Sequence, residues 1–365
     1  LCIAVAVGAG WAAAAMAETP VPRAATVREK ARAVNTGGTM GCLEEIGTLP
    51  RTAAELYEAG GVSGSILAAR ATYGKGASRA VYGDARRFVS HERLGQILAR
   101  LFQDARRFAR HPGDEVPRGT RLFAFANTVS TSPYNGGGWA GIRFAPEGRP
   151  TAQVEVSFRV VGPGPGEQPA LIGKLGVNLI HAAFHEAATP TRLLAALTTE
   201  LGAGPDRRGS IRALRTSGPG FEAFDAAQHG LDILESGAGD HVMMARDAGG
   251  LATAEPGDVL HGRAALLFPA APGPWSDAPR IRHALAPLLA SPEAVPAVMP
   301  LPVLSVPARD PDRSKLLAAQ AAALEVGGIC LLSRAPDAGE LGRFLAGATR
   351  APVLLASELP DVKAR

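Results

Sequence analysis

The segment Arg121–Phe144, RLFAFANTVSTSPYNGGGWAGIRF, joins an apolar run, a glycine triplet and a single tryptophan. Short apolar runs bounded by glycine and proline are typical of strands, so strands are predicted over residues 121–161. Residues Gln153–Val161 support this, because apolar Val and Phe alternate with Gln, Glu, Ser and Arg. Strict alternation predicts a half-buried antiparallel strand. The middle of the chain is therefore expected to form a sheet.

The same segment carries a pattern that continues further along the chain. Its members are Phe123, Ala124, Phe125, Ala126, Thr128, Val129, Tyr134, Gly138, Trp139, Gly141, Arg143, Phe144, Gly176, Val177, Asn178, Leu179, Ile180, Gly218, Pro219 and Phe221. In these residues the chain resembles a bacterial protein family that has no established activity. The resemblance covers residues 50–360 and is strong between 121 and 225. Members of the family carry the names TonB-dependent receptor or nicotinate-nucleotide adenylyltransferase.

Three residues depart from the family pattern. Asn127 stands where the family has Asp, Gly137 where it has His, and Ala145 where it has Gln. If those polar groups carry chemistry in the family, the resemblance implies that this chain has lost it. Neither family name is supported by motifs. The chain lacks the H-x-G-H motif of an adenylyltransferase, and 5% aromatic residues are too few for the aromatic girdles of an outer-membrane receptor.

Composition limits the partners that can be expected. The net charge of +4 and the abundance of Arg and Ala indicate a coding bias first and an anion-binding surface only second. Because aromatic stacking platforms are scarce, no nucleic-acid partner is expected. Cys2, Cys42 and Cys330 form no CxxC pair, which argues against a disulfide framework and a structural zinc site. A reducing, cytoplasmic location is the expectation.

The N-terminal residues 1–39 are expected to be dispensable for folding. Residues 1–17 form an apolar stretch ending in Ala15-Met16-Ala17, which is typical of a signal peptide and would mean export. Two other interpretations stay open. Residues 1–39 are upstream translation before Met40, or Gly8-x-Gly10-x-x-Ala13 is a weak dinucleotide fingerprint. The folded body has no run of about 18 apolar residues, so it contains no predicted membrane span.

The predicted fold class is α/β, with an α+β core built on a mixed sheet and a C-terminal parallel α/β unit. Helices are expected over 40–120, the mixed core over 121–268, and a linker over 269–311, where eleven of the 29 prolines lie. The C-terminal unit is expected over 312–365, with its first strand at 303–306. Alternating strands and helices there imply parallel strands joined by helical crossovers.

The predicted helix Pro169–Ala187 is apolar except for one narrow stripe. Lys174, Asn178, His181 and His185 fall within about 60° of one another around the helix. The stripe either faces solvent or lines a polar pocket. Two His residues one turn apart can share a metal, but the His-Glu-x-x-His order is absent, so no metal site is predicted. Asn178 belongs to the family pattern and is the firmer pocket candidate.

The glycine triplet offers a second candidate site. The backbone amides of Gly136, Gly137 and Gly138 can face an anion, with Arg143 adding bidentate charge. The alternative is a glycine-rich hairpin with Trp139 in the core and Arg143 at the sheet edge.

The hypothesis for function is that Asn178, Arg143 and the glycine backbone face one cavity that binds a small anionic ligand. Trp139 and His181 are further candidate contacts. The alternative is a non-catalytic scaffold or a degenerate homologue of an enzyme family. The sequence identifies no catalytic residue, cofactor, reaction or oligomeric state, and it leaves open whether the protein is an enzyme.

Overall fold

The computed structural model describes residues 24–111, 116–117, 119–131, 136–145, 150–162, 166–202, 206–247, 250–260, 263–270, 298–307, 312–334, 337–345 and 353–355. The helices are α1 (Val27–Thr36), α2 (Arg51–Ala59), α3 (Lys75–Tyr82), α4 (His91–Phe108), α5 (Glu167–His185), α6 (Pro190–Leu197), α7 (His229–Glu235), α8 (Pro256–Val259), α9 (Arg313–Gly327) and α10 (Ala338–Leu345). The strands are β1 (Thr39–Ile46), β2 (Ile66–Arg70), β3 (Arg121–Ser130), β4 (Gly136–Ala145), β5 (Ala152–Val160), β6 (Gly209–Ser217), β7 (His241–Asp247), β8 (Gly250–Ala254), β9 (Ala264–Ala270), β10 (Val298–Ser305), β11 (Ile329–Ser333) and β12 (Val353–Leu355). The predicted α/β class is confirmed.

The N-terminal sheet has the strand order β2-β1-β3-β4-β5-β6. β1 lies parallel to both β2 and β3, and the remaining pairs are antiparallel. The sheet is therefore mixed, as predicted, but it begins earlier than expected. Two of its strands lie within residues 40–120, which the sequence analysis described only as helical.

The C-terminal sheet has the order β12-β9-β10-β11-β7-β8. Its first four strands are parallel and the last two pairs are antiparallel. The predicted parallel unit is thus confirmed, and helices α9 and α10 are the expected crossovers. Because β7, β8 and β9 belong to the same sheet, the expected boundary near residue 268 divides one sheet.

Strand β10 corrects the expectation of a linker over 269–311. Pro300 and Pro302 lie inside this strand, which has neighbours on both sides. Both prolines precede the residues that pair with β11, since that ladder begins at Val303. Their missing N–H groups therefore remove no bond from the β10–β11 ladder. Residues 271–297 and 308–311 lie outside the described part of the chain.

Helix α1 contradicts the expectation that residues 1–39 are dispensable. Thr26 caps this helix and accepts a hydrogen bond from the Glu29 amide in a capping box. Val27, Ala31 and Val34 are buried in the largest hydrophobic core. The segment after residue 26 is therefore part of the fold, and Met40 lies within β1. The signal-like residues 1–17 lie outside the described residues.

Opposite faces of the N-terminal sheet are covered by different helices. Helices α1, α2 and α5 cover one face, called here the α5 face, and α4 covers the other, called the α4 face. On each face, a glycine allows close packing of a helix. A Cβ on Gly176 would lie 2.2 Å from the Thr52 hydroxyl oxygen of α2, and a Cβ on Gly141 would lie 2.8 Å from Leu98 of α4.

Among the described helices, none combines the length and apolar character that a membrane crossing requires.

Cys42 and Cys330 are buried as free thiols. Burial raises the pKa of the Cys330 thiol, which lies on β11, and a thiol with a raised pKa is less reactive.

The two sheets adjoin along β6. The hydroxyl of Thr253 on β8 accepts a hydrogen bond from the Leu214 amide at 2.8 Å and donates to the Leu214 carbonyl at 2.6 Å. The guanidinium of Arg215 donates to the Thr253 carbonyl at 3.1 Å. The edge of the N-terminal sheet is therefore hydrogen bonded to the C-terminal sheet at this point.

Candidate functional site

The glycine triplet lies within a strand and not in a loop. Gly137 and Gly138 pair with β3 on one side and β5 on the other. A Cβ on Gly137 would lie 2.5 Å from the Phe158 carbonyl oxygen, and one on Gly136 would lie 2.4 Å from the Gln168 side chain. The triplet therefore serves close packing between strands. The position of the triplet therefore supports the alternative interpretation, a glycine-rich hairpin, better than an anion-binding loop.

Arg143 and Asn178 do not share a cavity. The Arg143 guanidinium lies over the Phe102 ring of α4 at 5.8 Å, on the α4 face of the sheet. Asn178 belongs to α5, which covers the opposite face. The single-cavity hypothesis is wrong for this pair because successive side chains of a strand point to opposite sides of the sheet. Arg143 also lies on an interior strand and not at the sheet edge.

Asn178 is fully buried, and both the oxygen and the nitrogen of its side-chain amide form hydrogen bonds. Its Oδ1 accepts a hydrogen bond from Lys30 Nζ at 3.0 Å, and its Nδ2 donates to the carbonyls of Leu197 and Thr199. Lys30 Nζ also donates to the Ala196 carbonyl and the Thr199 hydroxyl. Burial lowers the pKa of Lys30 to about 8. We call Lys30, Asn178, Lys174, Thr199 and Glu200 the α5 polar cluster.

The α5 polar cluster joins α1, α5 and the end of α6. Glu200 accepts hydrogen bonds from Lys174 Nζ at 2.9 Å and from the Val27 amide at 2.8 Å. Glu200 has φ +58, a left-handed conformation that few residues other than glycine adopt. The stripe predicted on α5 is thus neither a solvent face nor a ligand pocket over most of its length. It is a set of structural contacts.

His181 and His185 lie side by side at the end of this stripe. Their ring centroids are 4.7 Å apart, and His181 Nδ1 is buried without a hydrogen-bond partner among the described residues. Burial and, to a smaller extent, the charges of His185 and Lys30 lower the pKa of His181 to about 4. A metal ion there would meet the charge of Lys30. Among the described residues no group of three or more His, Cys, Asp or Glu side chains could hold a metal.

A cavity lies where the two sheets meet, and we call it the sheet-junction cleft. Its volume is about 520 Å³. It opens between the N-terminal end of α4, the α4 face of the N-terminal sheet, and β7, β8 and α8. Its lining residues are Arg86, Arg87, Ser90, His91, Glu92, Trp139, Arg215, Ala245, Arg246, Asp247, Ala254, Glu255, Asp258, Val259, Arg263, Gly328 and Ile329.

Asp258 is held by three different elements. Its carboxylate accepts hydrogen bonds from Trp139 Nε1 at 2.8 Å, from Arg87 Nη1 at 2.7 Å and from the His91 amide at 3.2 Å. The last donor is the first amide of α4, where the helix dipole favours an anion. Burial raises the pKa of the Asp258 carboxyl, whereas the His91 amide, the charge of Arg87 and the Trp139 N–H oppose that shift.

His91, at the start of α4, pairs with a carboxylate beside the cleft. Its Nε2 lies 2.9 Å from Glu155 Oε2, and its ring packs on Trp139 with centroids 4.9 Å apart. The His91 side chain is 34% exposed, whereas that of Glu155 is 8% exposed. A buried carboxylate that binds one ring nitrogen fixes the orientation of the ring.

Glu255 marks the inner end of the cleft. It accepts a hydrogen bond from the Ser157 hydroxyl at 2.6 Å and pairs with Arg212 Nη1 at 3.2 Å. Arg212 lies at the irregularity in register between β5 and β6, where an extra residue redirects its side chain. Burial lowers the pKa of Arg212 to about 10, although Glu255 raises it.

The residues that depart from the family pattern have structural contacts. Asn127 Nδ2 donates to Glu45 Oε2 at 3.2 Å, and Asn127 Oδ1 accepts from the Ile46 amide. Glu45 in turn accepts hydrogen bonds from the Thr52 and Ala53 amides at the start of α2. Asn127 therefore supports a buried carboxylate that caps a helix, away from the cleft.

Comparison with known proteins yields only distant likenesses. No protein-family model and no curated protein matches the chain. A competence/damage-inducible protein, CihA from Agrobacterium tumefaciens, is 21% identical over 44% of this chain and 98% of its own, with a TM-score of 0.27. A CinA superfamily protein from Enterobacter cloacae is 14% identical over 46% of this chain and 95% of its own, with a TM-score of 0.30.

The competence damage-inducible protein A (ComA) from Klebsiella pneumoniae subsp. pneumoniae MGH 78578 is similar at the same level. It is 16% identical over 44% of this chain and 94% of its own, with a TM-score of 0.27. Likenesses this distant carry no conclusion about fold or activity. The comparisons also give no support to the name TonB-dependent receptor.

Of the seven candidate residues named from the sequence, Trp139 lines the cleft. The cleft brings together residues that are far apart in the chain, such as His91, Glu155 and Asp258. One signal was present in the sequence. The polar face of β5 carries Glu155 and Ser157, and both are buried against the cleft side although alternation suggested a solvated face.

Proposed function

We propose that the protein binds a small anionic molecule in the sheet-junction cleft. The volume of about 520 Å³ lies in the range of about 300–1,000 Å³ that is common for small-molecule sites. Five arginines line the cleft, from the segment before α4, from β6 and β7, and from the segment after α8. Guanidinium groups bind carboxylate and phosphate oxygens in bidentate geometry.

The acidic side chains that line the cleft, Glu92, Asp247, Glu255 and Asp258, neutralise only part of this charge. Asp258 is engaged by Arg87, and Asp247 is paired with Arg215 at 2.8 Å. Glu255 is paired with Arg212, which lies outside the lining. The observation that carries the proposal is the pair Arg86 and Arg246, which are exposed in the cleft and have no ion-pair partner among the described residues.

The ligand class is the one expected from the sequence, but its place is different. Trp139 contributes by holding Asp258, and so it orients Arg87 at the wall of the cleft. Asn178 and His181 belong to the other face of the sheet and take no part.

The test is a thermal-shift titration of the whole chain with inorganic phosphate, citrate and adenosine monophosphate, and with adenosine as an uncharged probe. We expect at least one of the three anions to raise the melting temperature and adenosine to have no effect. The double variant Arg86→Ala/Arg246→Ala should lose the shift.

The matched control is Arg28→Ala/Arg192→Ala, which removes two exposed arginines remote from the cleft. It should keep the shift, so that loss of bulk charge is separated from loss of the site. The proposal fails if no anion raises the melting temperature, or if both double variants respond like the unmodified chain.

A second candidate function, acid–base catalysis in the same cleft, is favoured by the His91–Glu155 pair. A histidine whose orientation is fixed by a carboxylate can accept a proton from water or from a substrate hydroxyl. Hydrolysis of para-nitrophenyl phosphate and para-nitrophenyl acetate tests this function. Turnover that His91→Asn abolishes while the anion-induced shift remains would support catalysis. Absence of turnover with both probes would favour the non-catalytic alternative.

A further inference from the structure

Positive charge is concentrated in one part of the chain. Residues 70–111 contain ten Arg and Lys residues against three Asp and Glu residues, a net charge of +7, whereas the whole chain carries +4. This segment contains α3 and α4. Such asymmetry within one chain is typical of a surface that meets a polyanion.

The charge is ordered along the outer face of α4. The exposed residues are Arg100, Gln103, Arg106 and Arg107 on α4, and Arg110 just past its end. Steps of three or four residues join 100 to 103, 103 to 107 and 107 to 110, and Arg106 lies between them. We call these five residues the α4 basic stripe. The opposite face of the helix carries Leu94, Leu98 and Leu101, which are buried against the sheet.

Acidic side chains neutralise only a small part of the α4 basic stripe. The carboxylate of Asp104 is shared by Arg70 at 3.1 Å, Arg107 at 3.3 Å and Arg100 at 3.8 Å. Arg106 and Arg110 have no ion-pair partner among the described residues. The stripe therefore keeps a net positive charge at its C-terminal end.

The guanidinium groups are also held in place. Arg106 lies over the Phe102 ring at 4.8 Å, and Arg107 lies over the Phe108 ring at 5.0 Å. Together with Gln103 and Arg110 they line a shallow depression of about 430 Å³. Stacking on a ring orients the planar fork and reduces the entropy lost when it binds an oxyanion.

We propose that the α4 basic stripe binds the phosphate backbone of duplex nucleic acid without reading its sequence. From Arg100 to Arg107 the helix advances about 10 Å, at about 1.5 Å per residue, and Arg110 follows two residues after the helix ends. One strand of a duplex places a phosphate at about every 3.4 Å along the axis, so four arginines can meet about four phosphates. Contacts to phosphates alone position a protein but carry no sequence information.

The expectation of no nucleic-acid partner rested on the scarcity of aromatic side chains. That argument concerns single strands, whose bases stack on aromatic rings. It does not apply to a duplex that is bound through its phosphates. An anionic membrane suits the stripe less well, because an interfacial helix inserts an apolar face and that face of α4 is buried.

The experiment is fluorescence anisotropy of a labelled 20-base-pair DNA duplex titrated with the whole chain at several salt concentrations. With four phosphate contacts, the affinity should fall on the order of 100-fold between 50 and 200 mM salt. In Arg106→Ala/Arg110→Ala it should fall only on the order of 10-fold over the same interval, because two contacts remain. Neither substituted residue has an ion-pair partner among the described residues, so the variant should keep its fold, which its melting temperature checks.

Two controls separate this surface from others. Arg28→Ala/Arg192→Ala should bind the duplex like the unmodified chain, and so should the cleft variant Arg86→Ala/Arg246→Ala. A second duplex of unrelated sequence should bind equally. The proposal is overturned if no binding occurs at 50 mM salt, if the stripe variant keeps the full salt dependence, or if phosphatidylserine vesicles bind the chain and the duplex does not.

Discussion

The α5 polar cluster and the sheet-junction cleft both contain charged and polar side chains, but these side chains find their hydrogen-bond partners in different ways. In the cluster, the Lys30 ammonium and the Asn178 amide use their hydrogen bonds on each other and on nearby carbonyls. In the cleft, the Asp258 carboxylate accepts hydrogen bonds from neighbouring protein groups. Arg86 and Arg246, by contrast, remain exposed without an ion pair among the described residues. The difference teaches that a polar stripe on an apolar helix does not identify a ligand site. Unused donors beside a cavity are better evidence.

The largest effect is expected from Asn178→Leu. The variant removes an acceptor from the buried Lys30 ammonium and leaves the carbonyls of Leu197 and Thr199 without their donor. We expect a loss of about 3 kcal/mol in the free energy of unfolding, measured with urea. Any anion-induced stabilisation of the cleft should persist in the folded fraction. Lys174→Met, which breaks a partly exposed pair, should cost less than about 1 kcal/mol. Equal stability of Asn178→Leu and the unmodified chain would contradict the closed-cluster interpretation.

A similar effect is expected from Asn127→Asp, which restores the residue of the family pattern. It places a second carboxylate beside the buried Glu45, whose pKa burial already raises. Two adjacent carboxylates cannot both ionise easily, so one folded-state pKa rises above its unfolded value. The variant should therefore lose about 2 kcal/mol relative to the unmodified chain as pH rises from about 4 to 7. At pH about 4, where the added carboxyl is protonated, Asn127→Asp should be close to the unmodified chain in stability. A loss that does not change between pH about 4 and 7 would show that repulsion between the two carboxylates is not its cause.

An intermediate effect should appear as a dependence of the free energy of unfolding on pH, caused by His181 beside the α5 polar cluster. The folded pKa of His181 is about 4, below the unfolded value of about 6.5. Its contribution to stability is therefore present above pH about 6.5 and is lost as pH falls towards 4, by about 2 kcal/mol. Thermal melting between pH 4 and 8 measures this, and His181→Gln should flatten the curve. His185→Gln, on an exposed residue, should change it less. An unchanged curve in His181→Gln would rule out His181 as the titrating group.

The smallest effect is expected in the cleft itself, from Trp139→Phe. The variant removes one donor from Asp258, but Arg87 and the His91 amide remain, and the Asp258 side chain is 20% exposed to water. We expect a loss of about 1–2 kcal/mol in the free energy of unfolding, from the lost hydrogen bond and from the smaller ring at a buried position. Ser90→Ala, which removes the cap of α4 beside the same cleft, is a comparison of similar expected size. A loss as large as that of Asn178→Leu would show that the cleft is closed to water, contrary to the comparison.

Local pattern was sufficient to predict the elements with strong periodicity. The helices expected over 40–120 include α4, and the alternating strands and helices expected in the C-terminal unit include α9 and β11. Periodicity reports burial along one element, and these elements bury one side or lie wholly inside a sheet.

The site was harder to predict because it depends on which elements become neighbours. His91 at the start of α4, Glu155 on β5 and Asp258 on α8 are 64 to 167 residues apart. Their meeting follows from how the two sheets adjoin, and no local pattern encodes that. The stripe on α5 led to a wrong prediction of a ligand pocket, although its local pattern was correct. Its periodicity was real, but α1 covers it, and the capping box that starts α1 at Thr26 went unrecognised.

The Thr253 hydroxyl that both donates to and accepts from Leu214 behaves like an additional peptide group at the edge of β6. The exchange of the Leu214 amide proton with deuterium therefore depends on the C-terminal sheet as well as on its own strand. If the two sheets separated before either unfolded, this amide would lose protection earlier than that of Ala213, its neighbour in the same strand. The exchange rates of these two amides would then report directly whether the two sheets unfold as one cooperative unit.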